Sequence, residues 1–146
     1  MNMSKIMDII FICSSIIFNI SVSIFYIAVK LGNMVLVQVS GAIVLSLIIP
    51  FTLTLLGYVT EKAEKRTIIS HLFILCYLFP ELSLDYILKI PFREILTIHV
   101  PYIIVFYAAM FSMIGVSFDK NKKMGFVVTI TFLILMGCLV YYLLPF

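Results

Sequence analysis

The sequence contains no tryptophan, three cysteines, five prolines and six glycines, and only 12% of its 146 residues are charged. Each scarcity excludes something. Soluble domains carry about 25% charge. A chain this small with 64% hydrophobic residues and a mean hydropathy of +1.23 has no means of hiding its apolar surface from water. Three cysteines, Cys13, Cys76 and Cys138, lie singly inside apolar runs with no C-x-x-C pair, so neither a disulfide scaffold nor a structural zinc site is implied. They read as small buried hydrophobes. Proline and glycine are too few for a collagen-like or low-complexity chain. A net charge of +3 held between apolar runs gives no nucleic-acid surface.

Long apolar runs are what the sequence does have. They imply an all-α, polytopic integral membrane protein forming one transmembrane domain over residues 1–146. A helical span needs about 20 apolar residues, so the chain has room for about five or six. The uncharged runs place five spans at approximately 7–29, 35–59, 68–90, 95–118 and 124–146. Lys5 ahead of an apolar run superficially suits a signal peptide, but residues 9–29 outlast an h-region and no small-residue cleavage site follows. This run is read as a retained first helix. Lys30, Leu31, Gly32 and Asn33 suit a tight connection, and the charged stretch 61–66 must lie in water, since a charge at the bilayer centre costs about 2.5–3.5 kcal/mol or more.

The segment 68–90 is ambiguous because Pro80, Glu81, Asp85 and Lys89 occupy its second half. It crosses as one helix kinked at Pro80, or it dips in and leaves 81–90 on the surface, giving four spans plus a re-entrant or interfacial segment. With five spans, seven of the ten basic residues (Lys5, Lys62, Lys65, Arg66, Lys120, Lys122 and Lys123) share one side, and Lys30, Lys89 and Arg93 share the other. The positive-inside rule then puts the N-terminus in the cytoplasm and the C-terminus outside, and the expected location is a prokaryotic plasma membrane. Tyr26, Tyr102, Tyr141 and Tyr142 are expected as outer interfacial anchors and Tyr58 as an inner one.

Polar residues within the spans are the candidate site. Asp8, Ser15, Asn19, Ser23, Tyr26 and Lys30 share one face of the first helix and should turn toward other helices or a wet cavity. Pro50 and Pro80 are expected to kink their helices by removing bonds to the carbonyls of Ser46 and Cys76. Pro101 is expected in the first turn of the fourth span, where Ala108, Ser112 and Gly115 offer a small-residue strip for close packing. Glu81, Asp85 and Lys89 follow at intervals of four, on one helical face. They form an ion-pair ladder at the outer interface, an amphipathic surface segment, or a proton- or cation-binding site.

His71 and His99 fall at opposite membrane faces, so no shared metal or haem is expected and no cofactor is implied. His71 reads as an interfacial side chain. His99 falls level with Asp85, Tyr102 and Gln38. There is no H-E-x-x-H, G-x-S-x-G or Walker glycine loop. The preferred expectation is a small transporter or channel-type subunit whose outward-facing pocket binds a proton, cation or small cationic solute at Glu81, with Asp85, His99, Asn19 and Gln38 contributing. Five helices leave little room for a complete path, so self-association or a partner membrane subunit is expected within the lipid bilayer. Two alternatives use the same residues: a structural or assembly subunit, and, less favoured, a membrane-embedded enzyme acting on a lipid or isoprenoid with a Glu81 or Asp85 base and a His99 acid.

Overall fold

The structure is a computed structural model, and it describes residues 3–62, 64–81 and 96–144, with the side chains of residues 3, 4, 81, 96, 98 and 99 left out. All the described secondary structure is helical: α1 (Met3–Leu31), α2 (Met34–Ser46), α3 (Ile48–Thr60), α4 (Lys65–Glu81), α5 (Leu96–Lys120) and α6 (Lys122–Leu143). Four helical stretches are long and apolar enough to cross a membrane: Lys5–Leu31, Met34–Thr60 (α2 with α3), Val100–Lys120 and Lys122–Leu143. α4 is described over 17 residues, about 26 Å of rise, against a hydrocarbon thickness of about 30 Å.

Local chemistry sets the helix ends. α1 stops where Gly32 takes φ +73, a left-handed turn that glycine adopts without strain. The Asn33 and Gly32 amides donate back to the carbonyls of Ala28 and Val29, at 3.0 and 3.2 Å, closing the end of α1. Asn33 at once caps α2, its Oδ1 accepting from the Leu36 amide at 3.2 Å, so two helices meet in the tight connection these residues imply. Asn121 repeats the device for α6, accepting from the Lys123 and Met124 amides at 3.0 and 3.3 Å. The run 34–60 divides at Leu47, whose amide turns to the Val44 carbonyl at 3.2 Å, and Pro50 stands third in α3. Pro101 is not in the first turn of its helix. α5 begins at Leu96, and proline is tolerated in the second turn because only one backbone bond is lost there.

α1 is the hub. It packs against α6 most extensively, then α2, α3 and α5, while α4 sits between α3 and α5. Half of its central stretch is buried, against 17% for α6. Two aromatic layers fill the core. Phe11 meets Phe51 edge-on at 5.6 Å; one helical pitch or more along, Phe18 meets Tyr77 at 5.7 Å, and Tyr77 meets Phe106 at 5.2 Å. Such pairs add about 0.5–1.5 kcal/mol beyond area burial. The outer surface is as apolar as the core: Ile104 is 64% exposed, Phe111 61% and Leu133 60%.

Two further details differ from expectation. Cys13 and Cys76 are exposed rather than buried, lying among those outward apolar residues; a thiol behaves as a small hydrophobe and suits an apolar surface as well as a core. α5 buries Phe106, Ala109, Met110, Met113 and Val116, whereas Ala108, Ser112 and Gly115 are only half-buried. The close approach between α5 and α6 lies instead at Gly125, where an added Cβ would stand 2.8 Å from the Phe118 Cα and 2.6 Å from its ring. Gly125→Ala should therefore lower the thermal midpoint in detergent, by overpacking worth about 1–3 kcal/mol. Gly115→Ala, which meets only the Arg66 Nη2 at 3.8 Å, should leave the midpoint unchanged or higher. Equal losses in the two variants would contradict this packing.

Candidate functional site

The contacts sort the helix ends into two poles. At one, the start of α1 meets the end of α3 through Asp8 and Tyr58, and the start of α4 meets the end of α5 through Arg66 Nε and Asp119 Oδ2 at 3.6 Å. Lys5, Asp8, Lys120, Asn121 and Met124 border one cleft there, which brings in the start of α6. At the other pole Lys30 donates to the Tyr141 carbonyl and to the Leu144 carbonyl at 2.9 Å, a cation set on the carbonyl end of α6. Tyr26 lies 5.3 Å from Tyr142, and the Tyr77 and Tyr102 hydroxyls are 3.1 Å apart. α1 and α6 therefore run parallel, and α4 runs antiparallel to α5.

Just inside the charged pole is a compact polar group. Tyr58 is 2% exposed and donates its hydroxyl to Asp8 Oδ1. Its ring lies edge-on to His71 at 5.2 Å, while Lys120 Nζ sits 4.8 Å from the ring's centre. His71 is fully buried, with Phe11 at 4.8 Å on another side. Its Nδ1 is 2.8 Å from the Thr67 carbonyl, which can only accept, so Nδ1 carries a proton. Its Nε2 is 3.1 Å from Thr54 Oγ1, and that oxygen is 2.9 Å from the Phe51 carbonyl.

The threonine has one hydroxyl hydrogen for two acceptors. With a neutral ring it can donate to Nε2; with a cationic ring Nε2 donates to it and the hydroxyl turns to Phe51. Protonation of His71 is thereby tied to the orientation of a buried hydroxyl. Beside this group a cleft of about 440 Å³ is lined by Tyr58, Glu61, Lys62, Glu64, Thr67, Asp119 and Lys120.

Tyr58 and His71, both read from the sequence as interfacial side chains, lie near the ends of α3 and α4 and are packed inside the bundle rather than on its surface. Each is drawn inward because a polar partner waits one helical turn away or on the next helix. The spacings Thr54–Tyr58 and Thr67–His71, each i to i+4, are the signal in the sequence that polar atoms on α3 and α4 share a face.

Of the residues singled out from the sequence, Asp8 belongs to this group, while Asn19 and Gln38 lie apart from it. Asn19 is 1% exposed, and its amide nitrogen donates to Thr131 Oγ1 at 2.9 Å and to the Val128 carbonyl at 3.4 Å, both on α6. Ser15 and Ser23 on the same face donate to carbonyls of their own helix, at 3.0 and 2.7 Å. Gln38 is exposed near the start of α2. Glu81 is the last residue of α4 and His99 stands in the first turn of α5, but their side chains, and Asp85 altogether, lie outside the described residues. Among the described residues no three of His, Cys, Asp and Glu gather as they would around a metal ion.

Comparison with known proteins finds no matching family model, no matching curated protein and no matching solved structure. The reading of the site therefore rests on its chemistry. If Asp8 and Tyr58 form a charge-assisted pair, a double-mutant cycle of Asp8→Ala with Tyr58→Phe should give a coupling of about 1.5–3 kcal/mol in detergent unfolding. A coupling below about 0.5 kcal/mol, the level of an exposed contact, would refute it.

Proposed function

We propose that this chain is a polytopic integral membrane protein of five spans, N-terminus in the cytoplasm and C-terminus outside, that serves as a small transport- or channel-type subunit for protons or a small cation. The single observation carrying this reading is an ionisable side chain, His71, fully buried inside the end of the bundle that also holds the half-buried carboxylate of Asp8. Ionisable groups are costly at such depth and commonly mark an ion or proton pathway. Asp8 is the candidate carboxylate at the charged pole, and the Thr54 hydroxyl couples His71 to the backbone. On this reading Glu81, with Asp85 and His99, supplies the carboxylate site at the opposite side, and a second copy or a partner subunit completes the path.

The five-span count is supported by the arrangement of ends: α1, α4 and α6 start at the charged pole, and α3 and α5 finish there. A second reading, a structural or assembly subunit, draws on a different observation. Asn19, Ser15, Ser23, Ser40 and Thr131 all bond within the chain, as groups that only fix packing would.

Reconstitution into vesicles loaded with a pH-sensitive dye distinguishes the two. Transport predicts proton or cation flux in the native protein that falls at least about tenfold in Asp8→Asn, His71→Gln or Glu81→Gln, with protein yield retained. No flux from the native protein, or flux unchanged in all three variants, would overturn the proposal. In the structural reading those substitutions change the yield of a complex and nothing else.

A further inference from the structure

Between α1 and the junction of α5 with α6, at the charged pole, runs a second cleft of about 420 Å³. It is lined by Lys5, Asp8, Ile9, Ile12, Cys13, Lys120, Asn121 and Met124. Its lining is divided along its length. Lys5, Lys120 and Asn121, whose Oδ1 caps α6, stand at the polar end, and Asp8 is the single acidic group of the lining, accepting from Tyr58. Ile9, Ile12, Cys13 and Met124 make the apolar end. From there an outward stripe continues up α1: Ile9 is 50% exposed, Ile17 44%, Ile20 44% and Ile24 42%, with exposed Cys13 between the first two. The steps of three and four residues keep this stripe on one side of the helix for most of its length.

A cleft whose polar end carries two lysines and one carboxylate, with Lys120 held over the Tyr58 ring, and which opens onto an apolar strip, matches a molecule with an anionic head and a hydrocarbon tail. We infer that the cleft between α1 and the α5–α6 junction is a binding site for an anionic phospholipid, its phosphate held by Lys5 and Lys120 and one acyl chain laid along Ile9, Cys13, Ile17 and Ile20. The glutamates of the neighbouring cleft, Glu61 and Glu64, disfavour the same ligand there. Juxtamembrane lysines attract anionic headgroups with an energy equivalent to about fivefold in affinity each. The apolar strip separates a seated lipid from a diffuse counter-ion cloud.

This inference rests on the membrane reading, and the two fail differently. Failure of that reading appears as protein recovered in soluble form without detergent. Failure of this one leaves detergent-extracted protein with no lipid preference. The test uses Cys13 as reporter, in a Cys76→Ser, Cys138→Ser background. The rate of maleimide labelling is followed in detergent as phosphatidylglycerol or phosphatidylcholine is added.

Phosphatidylglycerol should slow labelling of Cys13 several-fold at a level where phosphatidylcholine does not, and Lys5→Gln with Lys120→Gln should abolish the difference. A control pair, Lys62→Gln with Lys65→Gln, removes equal charge elsewhere at the same pole and should keep it. Because labelling is read on protein that elutes as a single species by gel filtration, misfolded variants do not count as loss of binding. Equal slowing by both lipids, equal loss in the control pair, or the same protection from inorganic phosphate alone would each overturn the site.

Discussion

Apolar side chains offer no hydrogen-bond partner, so polar atoms buried among them must be satisfied by the chain's own groups. That constraint organises this bundle. Asn19 donates its amide across to α6, and in doing so it pins the hub helix to its most extensive neighbour. Ser15, Ser23, Ser40 and Thr129 fold their hydroxyls back onto carbonyls of their own helices. Three buried atoms escape the rule among the described residues: Asn19 Oδ1, Thr52 Oγ1 and Ser117 Oγ. An unsatisfied buried group costs about 1–3 kcal/mol, so each marks a place where the chain tolerates a loss or where a water sits.

The same constraint separates the poles. Among the described residues, the polar contacts at the tyrosine pole are made by phenols and by a lysine set on the end of α6, and the cleft between them is lined mainly by rings: Phe25, Tyr26, Tyr102, Phe106, Tyr107 and Tyr142. At the charged pole ionisable groups reach one to two turns into the bundle and are held there by aromatic walls. Phe11 and Tyr58 shield His71, and Tyr58 in turn anchors Asp8. The exposed Arg66–Asp119 pair adds little energy, since its members stand in water. Its value is in marking which ends meet.

Much of the architecture was legible in the sequence because it depends on one-dimensional signals. Run length and charge position place the helices, and Lys30, Leu31, Gly32 and Asn33 announce their tight connection. The inward face of α1 follows from the spacing of Asp8, Ser15, Asn19 and Ser23. The site was less legible, because it is built from pairings between helices. Nothing in the run around His71 says that Thr54, 17 positions earlier, will stand beside its Nε2. Nor does the position of Tyr58 near the end of its run announce that its hydroxyl will meet Asp8, fifty positions earlier, on α1. In the same way no spacing rule distinguishes Ala108 and Ser112 from Ala109 and Met113. That choice was made by where α1 and α6 sit.

The central claim is that the charged pole stays on the cytoplasmic side of a bilayer that the chain crosses five times. Single cysteines at Asn33, Lys65, Phe92 and Asn121, introduced into a cysteine-free chain and probed in intact cells with a membrane-impermeant thiol reagent, test it most directly. The account predicts that cysteines at 33 and 92 label from outside, while those at 65 and 121 label only after the membrane is opened. Labelling of position 92 solely from the cytoplasmic side would show that the third segment does not cross, and would contradict the account.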